Sequence, residues 1–249
     1  MKLITKNIKQ NILSLESIEE RLELLKDKYN KETAYLISCG PSLAQHDIEM
    51  LNSKLSDKLV ISVKQAYDVV SDITDFHLLN TYNLKEYDYT TDKTIVVWSV
   101  SKSYAYNQLQ RIQEKPLDIY FPVINPPYVT PQDTIAGSLN FDDMKLLGSR
   151  CEVTWGPGMF YEMMIPLCLH LGVKNIVTIG WDLKVTDEHK HFYTDKMDCK
   201  PQIGELEQAV NSTKTFYEWC NQNNINLKII SDINEVDSRF ERIKLGEIK

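Results

Sequence analysis

A chain of 249 residues, with 43% hydrophobic and 25% charged side chains, is long enough to build its own apolar core without a metal or disulfide staple. A formal net charge of −7, with no clustered basic run, excludes a broad nucleic-acid phosphate track. Five cysteines, odd in number and without C-x-x-C spacing, fit free thiols in a reducing compartment and do not support a zinc site.

Met1 to Lys6 lacks the apolar segment of a secretory leader, and no run approaches the roughly 18 apolar residues of a membrane span. The expectation is a cytoplasmic protein, or one peripheral at the inner face of the membrane. Leu15, Ile18, Leu22 and Leu25 recur at helical spacing and predict a helix from Ser14 to Tyr29. It belongs to a helical extension over residues 1–32, packed on the edge of the main domain. Thr33 to Ser38 reads as a buried strand, broken by Cys39-Gly40-Pro41-Ser42. A short helix over Ile48 to Leu55 and a strand over Lys58 to Val63 come next. Asp75 to Leu79 predicts a third strand and Thr94 to Trp98 a fourth, with a helix over Ser101 to Glu114.

Pro116, Pro122, Pro126, Pro127 and Pro131 make the segment from Pro116 to Ser138 irregular. It reads as a lid, a loop packed over the site, or a subunit contact. Met159 to Leu171 predicts a buried helix with Gly172 at its C-cap. Val173 to Ile179 is a strand closed by Gly180-Trp181-Asp182. Thr186 to Gln202 is a polar loop, Ile203 to Asn221 a long helix and Leu227 to Ile230 the last strand. Apolar strands alternating with helices predict an α/β fold, a Rossmann-like and mostly parallel sheet with helices on both faces and an irregular insertion or lid. One such domain is expected over residues 33–237. The tail over 238–249 alternates basic, acidic and apolar residues, and fits an amphipathic membrane contact or an ordinary surface helix.

Three places carry candidate chemistry. Gly40 follows a buried strand, Pro41 stiffens the turn, and Ser42 caps the next helix or offers its hydroxyl to a phosphate. Free amides at such a turn attract anions. An ordinary strand-to-helix turn explains the same residues. Thr154-Trp155-Gly156-Pro157-Gly158, just before the apolar helix, repeats that logic. Asp182, at a strand end, suits a sugar hydroxyl, a histidine partner or a base, or else a turn cap. His189 and His191 follow in a polar loop, either as a general base or as solvated residues. His46 and His77 are weaker candidates, and His170 reads as structural. No D-x-D pair or third histidine-site ligand is defined, so no metal ligands are assigned.

The order of these motifs resembles that of the bacterial lipooligosaccharide sialyltransferases, with their GT-A-related fold. It is also similar to a broader flagellin-modifying and pterin-diphosphotransferase-like group. The resemblance covers most of Ala34 to Ile230. The family's N-G-P-S-L turn on the donor corresponds to Cys39-Gly40-Pro41-Ser42-Leu43, and its C-N-Q turn to Val63-Lys64-Gln65. Its donor-binding asparagine corresponds to Asn80, its T-S-G turn to Thr154-Trp155-Gly156, and its G-I-D strand end to Gly180-Trp181-Asp182. The resemblance implies a glycosyltransferase without a tightly bound cofactor, taking a nucleotide-sugar donor, with a CMP-activated acidic sugar leading. It implies a glycan acceptor and a histidine base, His191 before His189 on spacing. Cys39, Lys64 and Trp155 depart from the family pattern, and lysine can reach a phosphate directly. The pterin-related members imply an alternative, an ATP-dependent diphosphotransferase on a small alcohol. A non-catalytic nucleotide- or sugar-binding protein of surface-glycan assembly is the other. Thirteen tyrosines and the proline-rich segment also allow a homo-oligomer.

Overall fold

The computed structural model describes residues 3–80, 87, 93–99, 119–121, 159–184, 192 and 203–248. Two short helices open it, α1 over Lys6–Leu13 and α2 over Ile18–Leu25. The expected single helix from Ser14 is therefore a break followed by a new start. Ser17 accepts from the Glu20 amide while the Glu20 side chain accepts from the Ser17 amide, a capping box that begins α2.

The strands are β1 (Thr33–Ile37), β2 (Leu59–Val63), β3 (Phe76–Asn80), β4 (Ile95–Ser99) and β5 (Ile119–Phe121), then β6 (Asn175–Ile179), β7 (Asn226–Ile230) and β8 (Glu241–Arg242). They form one eight-stranded sheet in the order β5-β4-β3-β2-β1-β6-β7-β8. Every pairing is parallel. All five residues of β2 are buried, so this strand is covered on both faces, as expected for a parallel sheet. The chain builds outward from β1 on one side through β5, then returns to the other side of β1 with β6. The order reverses between β1 and β6, which opens a crevice at their carboxyl ends.

Between the strands lie α3 (Ile48–Leu55), α4 (Tyr67–Val70), α5 (Ile165–His170) and α6 (Ile203–Gln222). Asp47 caps α3 by accepting from the amides of Glu49 and Met50. The cap is thus not Ser42, which lies inside a 3-10 turn over Pro41–Gln45. The predicted apolar helix from Met159 enters α5 through a π-helical turn at Phe160–Met164. Pro166 has no N–H to return to the preceding turn, which widens there. Gly172 ends the run at φ 79°, where a Cβ would press on Asp27. Within the proline-rich segment, Ile119–Phe121 forms a strand where an irregular crossing was expected. It is three residues long and sits at the sheet edge, where flanking prolines are tolerated.

Both end segments share the core. Ile4, Ile12, Leu22 and Leu25 belong to the same buried cluster as β1 and β6. Asp75, itself buried, accepts from the amides of Ile4 and Val60. The backbone amides of Asp27 and Tyr29 donate to the carbonyls of His170 and Leu171, and His170 Nε2–H donates to the Leu22 carbonyl. At the other end Phe240, Leu245 and Ile248 are buried. The tail is therefore a short strand and a 3-10 turn with Phe240, Leu245 and Ile248 buried, which corrects the expectation of an ordinary surface helix.

Candidate functional site at the strand exits

The crevice at the strand order's reversal is built from four strand ends. Gly40 leaves β1 so close to the β6 exit that a Cβ would run into the Gly180 carbonyl and the Asp182 carboxylate. Its φ of −66° is ordinary, so glycine is required here by proximity. Gly180 needs glycine twice over: φ is 75°, and a Cβ would strike the Ser38 carbonyl.

The hydrogen bonds of this junction correct the expected role of the first turn. The Gly40 amide donates to the Gly180 carbonyl at 2.8 Å, and the Leu43 amide to the Gly40 carbonyl at 3.1 Å. Pro41 has no N–H. The Ser42 amide donates to Asp182 Oδ2 at 2.7 Å, and the Ser42 hydroxyl to Oδ1 at 2.7 Å. The Ser231 hydroxyl, beyond β7, also donates to Oδ1 at 2.7 Å. Ser42 is fully buried and Asp182 nearly so. The turn is an anion site, as its sequence suggests, but the anion is the protein's own carboxylate. A phosphate cannot be held there by these amides without displacing Asp182.

Asp182 is correspondingly a clamp rather than an available base. Its side chain joins the β1 and β7 exits to its own, and its carbonyl accepts from the Glu235 amide at 2.7 Å. Trp181, between the glycine and the carboxylate, is core: it stacks on Phe160 at 3.9 Å with the rings nearly parallel. Sequence reasoning placed Asp182 at a strand end but missed Ser231. The only available signal was the Ser231-Asp232 pair closing the last strand.

The β2 exit differs. Cys39 donates its thiol to the Val63 carbonyl at 3.3 Å, and burial pushes that thiol up to about 11, so it is not a thiolate nucleophile at neutral pH. Lys64 follows at φ 44°, the left-handed region, which costs a residue with a Cβ roughly 1–2 kcal/mol. His77 Nε2–H donates to the Lys64 carbonyl at 3.0 Å. Gln65 buries its side-chain oxygen without a hydrogen-bond partner among the described residues. Among the described residues no carboxylate pairs with Lys64. A strained backbone, a cation and a buried acceptor without a donor among those residues thus coincide at one strand exit.

His77 is fully buried within β3, and desolvation pushes its pKa down to about 3, so the ring is neutral at ordinary pH. It stacks on Tyr67 at 4.3 Å and meets the edge of Tyr87 at 4.7 Å. Asn80 is the last residue of β3, paired with Ser99 of β4, which puts its backbone at the same carboxyl edge as Lys64. His189, His191, Thr154, Trp155 and Gly156 lie outside the described residues. Phe192, the residue after His191, donates its amide to the Cys39 carbonyl at 2.8 Å.

Among the described residues no three His, Cys, Asp or Glu side chains gather as a metal cluster, and no helix is long and apolar enough to cross a membrane. A groove of about 600 Å³ lies beyond the β7 exit, bordered by Thr213, Lys214, Asn234, Asp237 and Arg242. Arg242 spends its guanidinium on the carbonyls of Val236, Asp237 and Phe240 and on Asn234, so it braces this loop. Compared with known proteins, the chain matches no family model and no curated relative.

Proposed function

We propose that the chain is a nucleotide-sugar-dependent glycosyltransferase that works at the carboxyl edge of the sheet, with a CMP-activated acidic sugar as donor. The observation that carries this reading is the β2 exit beside the reversal of strand order. There Lys64 supplies a cation that no carboxylate among the described residues pairs with, on a left-handed backbone beside β1. A phosphate meets the need of that cation. The internal satisfaction of Gly40 to Ser42 moves the expected phosphate contact from amides of the first turn to Lys64.

In the reaction, an acceptor hydroxyl attacks the anomeric carbon as the bond to the CMP phosphate oxygen breaks. The bonding pair leaves with CMP, whose charge Lys64 offsets. His191 receives the hydroxyl proton. The tie from Phe192 to Cys39 supports His191 over His189, because it anchors the chain next to His191 at the β1 exit. Asp182 holds the strand exits together and takes no proton.

Thermal shifts with CMP, UDP, ADP and GDP test the reading. At about a hundred times Kd, binding adds about 2.7 kcal/mol, which raises Tm by roughly 5 °C or more for a chain of this size. CMP is expected to give the largest shift, and intact CMP-sugar to be turned over in an H191A-sensitive manner. No shift with any nucleotide sinks the proposal. ATP turnover that requires Mg²⁺ favours the diphosphotransferase instead, and binding without turnover favours a non-catalytic binding protein.

A further inference from the structure

The Lys64–Gln65 turn is held by a device that its own sequence does not contain. Lys64 sits at φ 44°, a conformation that a lysine does not adopt by preference. Its carbonyl is fixed from outside by His77, on the neighbouring strand, where His77 is paired in register with Ser62. The imidazole has little freedom. It is fully buried, stacked on Tyr67 within 15° of parallel and met by the edge of Tyr87. A carbonyl can only accept, so the ring carries its proton on Nε2. Desolvation keeps the ring neutral, which holds that tautomer across ordinary pH.

We infer that His77 is a positioning residue for the phosphate contact: its Nε2–H, bonded to the Lys64 carbonyl, holds the left-handed turn that sets Lys64 at the carboxyl edge of the sheet, beside the crevice. The inference rests on the nucleotide reading of that crevice and adds to it the residue that shapes the contact. Without the donor, Lys64 relaxes toward an ordinary extended or helical backbone. Such a change swings the side chains of Lys64 and Gln65, because a residue's φ and ψ set the direction of everything attached after it. The loss should therefore fall on the phosphate of the ligand and not on its nucleoside.

His77→Phe keeps a flat ring for the Tyr67 stack and removes the donor. His77→Gln returns an N–H at similar reach. CMP and cytidine are titrated calorimetrically into the wild type, both variants, Lys64→Ala and the H77F/K64A double variant. H77F is expected to weaken CMP by about tenfold, the scale of one charge-assisted hydrogen bond, and to leave cytidine unchanged. H77Q should recover most of the CMP affinity. K64A should lose as much as H77F, with no further loss in the double variant.

CMP binding by H77F equal to the wild type, equal losses for CMP and cytidine, or additive losses in the double variant overturn the inference. If H77F does not fold, imidazole 15N spectra of the wild type decide. An Nε2 proton whose signal moves on adding CMP supports the inference, and an Nδ1 proton or an unmoved signal overturns it. A wild type that binds neither CMP nor any other nucleotide defeats the nucleotide reading, and the phosphate-positioning role falls with it. Intact wild-type binding with an unaffected H77F defeats the positioning role alone.

Discussion

Asp182 shows how one residue can look catalytic in a sequence and be architectural in the fold. A carboxylate at a strand end fits several chemical roles, and nothing near it in the chain reveals its partners. Ser42 lies 140 residues away and Ser231 lies 49 away, and both hydroxyls meet on Oδ1. Gly40 and Gly180 were legible as a turn and a strand end because glycine punctuates. That they abut each other follows only from β1 and β6 being neighbours. Removing the carboxylate leaves three buried donors without an acceptor. Hydrogen bonds to charged groups contribute about 1.5–3 kcal/mol each, so D182A should cost at least about 3 kcal/mol by urea denaturation. S231A should cost roughly half as much, and less in the D182A background, because the two share one bond and only the Ile233 amide's bond to Ser231 Oγ is then left to lose. A D182A protein as stable as the wild type but inactive would return Asp182 to a chemical role.

At the scale of elements, apolar runs made most strands readable: the predicted Lys58 to Val63 and Leu227 to Ile230 lie within a residue of β2 and β7. What escaped were elements without that pattern. β8 is two charged residues, and β5 is three residues beside a proline. The start of α2 was written as Ser17-Ile18-Glu19-Glu20, but hydrophobic spacing across Ser14 to Tyr29 masked it. β3 carries a consequence for pH. Its His77 is pushed down to about 3 by desolvation, from an unfolded value near 6.5. Between those values the unfolded chain binds a proton that the folded chain does not, so stability falls as pH drops below about 6.5. The full contribution is present above that value. From pH 7 to pH 5 the wild type should lose about 2 kcal/mol that H77F does not, measured by urea unfolding at both pH values. Equal losses in the two proteins would mean that the ring titrates as an exposed histidine.

For the whole molecule, alternating helices and apolar strands were enough to predict an α/β parallel sheet, because burial on both faces leaves a plain compositional trace. The assignment of the two ends as an extension and a tail went less deep, since charged residues between apolar ones read the same on a loose helix and on a segment docked on a core. In the fold, Phe240, Leu245 and Ile248 are each less than a tenth exposed, and the Lys54 ammonium donates to the Ile248 carbonyl at 2.9 Å. Phe240 also meets Trp181, Phe216 and Tyr217, so the last segment closes the aromatic cluster behind the β6 exit. Burying each such side chain contributes about 1.5–3 kcal/mol. Truncation after Asp237 therefore removes roughly 5 kcal/mol or more, comparable with the whole stability of many domains at about 5–15 kcal/mol. The shortened chain should lose its cooperative urea transition and its dispersed amide spectrum. A membrane-seeking tail makes the opposite demand: residues 1–237 would unfold like the full chain and lose only affinity for anionic vesicles. Because Phe240 backs the same Trp181 that separates Gly180 from Asp182, a truncated chain that still folds should also show a loosened clamp, read as faster hydrogen exchange at the Ser42 amide.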